Sequence, residues 1–267
     1  MSIVEIDYEK CNKCKICLST CILFRYNQEA EKIEYRDPQN FCNLCGQCIA
    51  RCPENAILYE NMGEAFEFEG VSKPDTIISY DSLYNFMRAH RSIRRFRERK
   101  VPGELLQKLF DAMSQAPTGD NVRSETFSIL SDPDQIKRLN DAVIEELLKD
   151  DYMNERYGKL FYLLGKAFRS PVFFDAPHVI FVDSPNTHEV EMNNIGIIIT
   201  YGRLAAQAIG LGTCWNGWTQ IAMKNNPELK KLGNIKGEGV GVFIIGYPAV
   251  KFYRSAPRKL KEINGLL

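Results

Sequence analysis

Cys11-Asn12-Lys13-Cys14-Lys15-Ile16-Cys17-Leu18-Ser19-Thr20-Cys21 and, 31 residues on, Cys42-Asn43-Leu44-Cys45-Gly46-Gln47-Cys48-Ile49-Ala50-Arg51-Cys52, closed by Pro53, decide how the N-terminal part of this chain folds. Both stretches follow CxxCxxCxxxC, and every cysteine of the second lies 31 residues after its counterpart. A spacing repeated four times to the residue points to duplication of one structural unit. Eight of the nine cysteines fall in these runs and only Cys214 lies outside, so the stretch is a site and not background usage. Residues 1–10 carry Glu5, Asp7 and Glu9 and no apolar run, unlike a signal or transit peptide. No segment reaches the ~18 apolar residues of a membrane span. The chain therefore reads as soluble, intracellular and cytoplasmic, a setting in which clustered cysteines bind metal or do redox work more often than they form disulfides.

Three thiolates on one tight loop can reach three iron corners of a four-iron cube, after which the chain turns away and its fourth cysteine projects elsewhere. In two-cluster ferredoxins that fourth ligand serves the other cluster. The expected ligand sets are thus Cys11, Cys14, Cys17 and Cys52 for one [4Fe–4S] centre, and Cys42, Cys45, Cys48 and Cys21 for the other. Structural zinc would use paired CxxC knuckles and has no need of a third cysteine at the same short spacing. Residues 1–60 resemble the bacterial two-[4Fe–4S] ferredoxin family over nearly the whole of that small domain. One departure is Ile22, where that family has proline; proline is not a ligand, so the assignment stands. Val4 to Ile6 and Ile57 to Tyr59 are expected to form terminal strands with little other core, leaving the clusters to hold the domain together.

Length and charge agree with a division into parts. A chain of 267 residues suggests about two domains. Hydrophobic residues at 45% and charged residues at 25% are globular values that exclude wholesale disorder. The 34 basic and 34 acidic residues cancel, which removes the bulk electrostatic case for nucleic acid or an anionic membrane. That zero conceals a split: residues 1–70 hold 7 basic against 12 acidic residues, net −5, leaving +5 for residues 71–267. Glu60 to Asp75 mixes acid, Gly and Pro without a sustained period and reads as a linker, in which Phe66, Phe68 and Val71 alternate as in a short edge strand. The expected layout is a cysteine-rich domain over 1–62, a linker over 63–78 and a second domain over 79–267.

The second domain reads as α/β or α+β. Leu83, Phe86 and Met87 sit at helical spacing, and Pro102 to Ala116 opens with proline and continues with a helical apolar stripe. Strands are expected at Thr126 to Leu130, His178 to Val182 and Gly239 to Ile245, and a long helix from Asn193 to Ile209. Tyr157, Phe161, Leu164 and Phe168 share one helical face, either packing inward or walling a ligand, with Tyr152, Phe173 and Phe174 nearby. Cys214, in an apolar Gly-rich turn with no histidine near it in sequence, reads as core. His90, His178 and His188 have no metal-ligand spacing. No GxGxxG joins a strand to a helix, so a Rossmann nicotinamide site is unsupported, and Gly237, Gly239 and Gly241 simply flank a strand.

Four local features point to one ligand. His90-Arg91-Ser92-Ile93-Arg94-Arg95-Phe96 places guanidinium groups and a hydroxyl at a helix end, suited to gripping a phosphate. Ala116-Pro117-Thr118-Gly119-Asp120-Asn121 and Gly210-Leu211-Gly212-Thr213-Cys214-Trp215-Asn216-Gly217 follow. Gly246-Tyr247-Pro248 then leads to Arg254 and Arg258. In this order they resemble the FMN-dependent nitroreductase family over essentially all of residues 79–267. The resemblance implies a mixed α/β sheet domain, a homodimer, and FMN whose phosphate is held by Arg91, Ser92, Arg94 and Arg254 or Arg258, with His90 beside it. It also implies an amide from Asn121 to the flavin ring, and Trp215, Asn216 and Gly217 along the pyrimidine side. The family commonly has Gln-Pro after the asparagine, whereas this chain has Arg123-Ser124, and an arginine there could favour an anionic substrate. No side chain is nominated as catalytic.

Together the two resemblances imply an FMN-dependent, nitroreductase-like enzyme fed by two [4Fe–4S] clusters. Its donor would be an external low-potential, ferredoxin-like carrier, and its substrate a small electron-poor nitro compound, quinone or enone. Two alternatives stand beside it: an electron-transfer or redox-sensing flavoprotein without small-molecule turnover, and NAD(P)H-driven reduction with the clusters as electron exit.

Overall fold

The computed structural model describes residues 2–265. Its contacts divide the chain into two units: unit 1 runs through Ile78 and includes Asp120–Val122, and unit 2 holds Ser79–Gly119 and the chain from Arg123 onward. Among the described residues no helix is long and apolar enough to cross a membrane.

Unit 1 is built twice over. Strand β1 (Ser2–Ile6) pairs antiparallel with β4 (Ile57–Glu60), so both expected terminal strands form. A second ladder joins β2 (Phe24–Asn27) to β3 (Lys32–Tyr35). The expectation of little other core missed this hairpin, whose Phe24 and Ile33 are buried with Ile3, Ile6, Ile49 and Ile57 around Cys48. Short helices α1 (Ile16–Thr20) and α2 (Gln47–Arg51) lie 31 residues apart, like the cysteines. The alternating stretch after β4 forms no strand: Phe66, Phe68 and Val71 are all exposed.

Unit 2 is a sheet between two helical layers. The helices are α3 (Tyr80–Ala89), α4 (Gly103–Ser114), α5 (Pro133–Leu147), α6 (Asp151–Gly165), α7 (Glu189–Ala208) and α8 (Gly217–Asn225). The strands are β5 (Thr126–Leu130), β6 (His178–Ser184), β7 (Gly212–Trp215) and β8 (Gly239–Gly246), ordered β5-β6-β8-β7 and antiparallel throughout. Every residue of β6 and β8 is buried. Their side chains alternate between two cores: Val179, Phe181, Val242 and Ile244 pack with α5, α6 and α8, while Ile180, Val182, Phe243 and Ile245 pack with α4 and α7. Burial on both faces is why these strands read as continuous apolar runs. Gly239 and Gly241 lie inside β8, not beside it, and a Cβ at Gly241 would overlap Ile195 of α7, so glycine sets the approach of helix to sheet. Cys214 lies on β7, buried and paired with Ile244, not in a turn.

His178, 3% exposed, staples the start of β6 to two distant segments. Its Nε2 accepts from the Val101 amide at 3.0 Å, which leaves the proton on Nδ1 to donate to Ser131 Oγ at 2.7 Å. Burial, with Lys100 adding to it, lowers the imidazole pKa to about 4. The unfolded chain therefore binds a proton that the fold rejects, and stability falls as pH drops from about 6.5 toward about 4, by at most about 3 kcal/mol from this group. Urea unfolding across that range is expected to show this slope in the wild type and a shallower one in His178→Gln.

Candidate functional site

Residues 92–97 are stitched into the edge of the unit 2 sheet. Ser92 forms a parallel bridge with Thr213 of β7, and the Ile93 amide donates to the Thr213 carbonyl at 2.9 Å. Phe96 bridges Pro248, and the Arg97 amide donates to the Tyr247 carbonyl at 2.9 Å. The early arginine segment, the Gly-rich segment and the Gly246-Tyr247-Pro248 segment are thereby brought side by side, and two clefts open beside them.

The first cleft is lined by His90, Arg91, Gln207, Gly212, Thr213 and Pro248. His90 Nδ1 lies 2.7 Å from Gln207 Oε1, while Gln207 Nε2 donates to the Phe86 carbonyl at 2.7 Å. That second bond makes Gln207 Oε1 the acceptor and His90 the donor. Burial lowers the His90 pKa, the Gln207 bond opposes this, and the charges of Arg203, Arg91 and Arg258 push it further down. Arg91 Nη1 donates to the His90 carbonyl at 2.5 Å, but its Nη2 is buried with no partner. Arg203, on α7, donates from Nε to Thr213 Oγ1 at 3.3 Å and has its pKa lowered by burial. No carboxylate among the described residues lies within salt-bridge distance of Arg91 or Arg203. Two desolvated guanidinium groups without a counter-charge are costly unless an anion joins them.

The second cleft, about 440 Å³, is lined by Arg94, Tyr152, Tyr157, Trp215, Gly217 and Trp218 among others. The Arg94 guanidinium lies 5.8 Å from the centre of the Phe174 ring, and Gly217 opens α8 at the cleft. A cation beside a helix N-terminus makes this end of the cleft favourable for negative charge. α6 ends at Gly165, so Phe168 lies beyond the expected helical face, while Tyr157, Phe161 and Leu164 on it serve both readings. Tyr152, Met153 and Tyr157 wall the cleft, while Phe161 is buried and Leu164 and Phe168 pack on the core.

Three expected residues sit differently. Asn216 lines the second cleft, but its side chain is spent on structure: Oδ1 caps α8 by accepting from the Thr219 amide at 3.0 Å, and Nδ2 donates to the Val172 carbonyl at 2.7 Å. Asn121 sorts with unit 1, where its Nδ2 donates to the carbonyls of Asn43 at 3.1 Å and Leu44 at 2.9 Å. Arg123 folds back to donate to the Ser114 carbonyl at 2.6 Å, completing the C-terminal end of α4. Arg254 lines neither cleft, whereas the charge of Arg258 reaches His90. Arg203 and Gln207 went unread in the sequence. Arg203 had a signal, as the one charged residue between Met192 and Ile209.

In unit 1 the cysteines lie near one another in two sets. Cys11, Cys14, Cys17 and Cys52 line one cavity. The buried Cys48 thiol is pushed up to about 11 by burial, and Cys21, Cys42 and Cys45 are the thiols acting on it. Both loops use the same backbone. Lys13 and Lys15 in the first, and Leu44 and Gly46 in the second, have positive φ, and Asn12 and Asn43 each accept from the cysteine amide two residues on. Successive amides in such turns make concavities suited to anionic clusters. Among the described residues no group of three or more His, Cys, Asp or Glu side chains converges as one metal ion would require. A four-iron cube spreads its thiolates over separate irons, so the looser grouping fits a cluster better than a single ion.

A family model described as "Nitroreductase family" matches residues 87–247, more than half of the chain. The chain belongs to the nitroreductase family. It is an oxidoreductase-like enzyme of that family. A relative is the "Iodotyrosine dehalogenase 1 homolog" of Caenorhabditis elegans, 26% identical over 211 residues, which are 72% of this chain and 65% of that protein. Another is the iodotyrosine deiodinase of Thermotoga neapolitana, 29% identical over 170 residues, 62% of this chain and 88% of that one. The nitroreductase of Desulfitobacterium hafniense, solved with bound FMN, shares the fold at a TM-score of 0.55 with 20% identity, covering 68% of this chain and 97% of that one. A nitroreductase of Clostridium difficile does so at 0.53 with 19% identity, covering 67% and 98%.

Removing the Asn216 side chain is expected to cost about 1–3 kcal/mol of stability, since Asn216→Ala loses a helix cap and leaves the Val172 carbonyl without its partner. Chemical denaturation of the two proteins measures it.

Proposed function

We propose that the protein is an iron–sulfur flavoprotein oxidoreductase with two [4Fe–4S] clusters and one FMN per chain, using a low-potential donor to reduce a small electron-poor substrate. The observation that carries the reading is the pair of half-buried arginines at the cleft of His90 and Thr213, neither with a carboxylate: Arg91, whose Nη2 is buried without a partner, and Arg203, bonded to Thr213. A phosphate is the dianion that two such groups can grip in bidentate fashion. Arg94 and the start of α8 at the neighbouring cleft would stabilise negative charge on the pyrimidine edge of a reduced ring. Trp215 would lie against that ring, its Nε1 held by Gln220 at 3.1 Å. Cys11, Cys14, Cys17 and Cys52 would hold one cluster, and Cys42, Cys45, Cys48 and Cys21 the other. When bound, the clusters supply electrons singly and the flavin adapts that supply to a two-electron reduction. A homodimer belongs to the same reading.

A second reading of the substrate is favoured by the relatives that are iodotyrosine deiodinases. Tyr152, Tyr157, Phe174 and Trp218 make an aromatic wall that suits an aromatic ring, so reductive removal of halogen from a phenol stands beside nitro, quinone and enone reduction. Anaerobic turnover of the reduced protein with a nitroarene, a quinone, an enone and an iodophenol separates them, with halide release marking the last. Bleaching of the flavin by NADH or NADPH in anaerobic stopped flow would instead favour nicotinamide as the donor.

Anaerobic reconstitution is expected to give about eight irons and one FMN per chain, with Cys14→Ser and Cys45→Ser each losing about four irons. A preparation holding neither iron nor flavin would overturn the proposal. Arg91→Met and Arg203→Met are expected to weaken FMN at least about tenfold while leaving riboflavin, which lacks the phosphate, unchanged. Fluorescence titration reads both.

A further inference from the structure

The two cysteine loops of unit 1 share a backbone and differ in surface. At the 31-residue offset Lys10 stands where the second loop has Phe41, Lys13 where it has Leu44, and Lys15 where it has Gly46. Arg51, next to Cys52, likewise stands opposite Thr20. Lys15 and Gly46 share the left-handed turn, with φ of 65° and 72°. Glycine is the residue such a turn favours, so the first loop accepts strain to carry a lysine.

Lys10, Lys13 and Lys15 of the first loop are exposed, as is Cys14 among them, and so is Arg51 beside Cys52. Nearby carboxylates are partly committed: Asp7 pairs with Lys10 at 3.2 Å, and Glu54 accepts from Asn12 Nδ2 at 2.8 Å. Lys13 has no ion pair among the described residues, and Lys15 Nζ stands 4.1 Å from the centre of the Tyr26 ring. At the positions matching Lys10, Lys13 and Lys15 the second loop has no charge. It is bordered by the exposed Phe41 and by Ile22, 93% exposed, and its Asn43 and Leu44 carbonyls already accept from Asn121.

We propose that the surface around Cys14, carrying Lys10, Lys13 and Lys15, is where an acidic one-electron carrier protein docks. The proposal rests on the cluster reading above. Residues 1–70 carry net −5, so an acidic carrier is repelled by most of this surface. Within about 8 Å, the reach of unscreened charge at physiological salt, Lys13 and Lys15 reverse the sign and steer the carrier to this loop and not to its duplicate, which has Leu44 and Gly46 at those positions. One electron passes: the carrier is oxidised by one equivalent and the centre held by Cys11, Cys14, Cys17 and Cys52 is reduced by one. No bond is made or broken and no proton moves.

The test uses the reconstituted full chain and Lys13→Glu/Lys15→Glu, titrated anaerobically by calorimetry with a small acidic ferredoxin at low and physiological salt. The wild type is expected to bind more tightly at low salt, and the double variant to lose at least about tenfold there. Lys13→Gln/Lys15→Gln is expected to fall between them, and Leu44→Glu, on the duplicate loop, to match the wild type. Iron content and reduction by titanium(III) citrate, which needs no docking, are expected to stay the same in all four proteins. Affinity unchanged in the double variant, salt-independent binding, or tighter binding of a basic cytochrome would each overturn the proposal. A wild-type chain that takes up no iron would instead overturn the cluster reading beneath it.

Discussion

The antiparallel ladder between β6 and β8 is the constraint on which unit 2 depends. Seven residue pairs, from His178 with Ile245 to Ser184 with Gly239, fix two strands whose side chains enter different cores on alternate positions. A slip of one residue would exchange the two sets, placing Phe243 where Val242 and Ile244 now fit, so the register tolerates no alternative. Strand β7 hangs on the other edge of β8, and Ser92 and Ile93 hang on β7. The order of the ligand-facing residues along the clefts is thus inherited from packing in the middle of the sheet.

Against that neutral scaffold the site concentrates unbalanced charge. Arg91 and Arg203 are half-buried, and the chain provides only a carbonyl and a hydroxyl as their partners. Natural proteins keep such groups when a bound species completes them. Burial first, and then the charges of Arg203, Arg91 and Arg258, disfavour a charge on His90, which Gln207 positions as a donor.

Much of this was legible in the residues, and what was not has a physical cause. The proximity of the cysteines could be read because all eight lie in two short runs whose spacing limits their reach. β5, β6, β8 and α7 could be read because long apolar segments leave few other structures open to them. β7 could not: four residues opening on Gly212 look like a turn until β8 pairs with them. The β2–β3 hairpin hid because Phe24, Tyr26, Ile33 and Tyr35 alternate with charged residues over only four positions each. Arg203 escaped because Thr213 and His90, which give it meaning, lie in other segments of the chain. The capping role of Asn216 could not be read either, since nothing in the Gly-rich segment marks a helix start until α8 is in view.

That cap has a mechanical side. Through its amide to Val242, its Nδ2 to Val172 and its Oδ1 to Thr219, Asn216 rivets three separate pieces of chain at one corner of the second cleft. The start of α6, which also lines the cleft, is held differently: Asp150 caps it by accepting from the Met153 amide, Tyr157 packs edge-on against Trp218, and Tyr152 is exposed and meets Arg156 on the surface. One side of the cleft is therefore fixed by hydrogen bonds to backbone and the other by aromatic packing, so a substitution at Tyr152 changes the shape of the cleft without touching the corner that Asn216 holds.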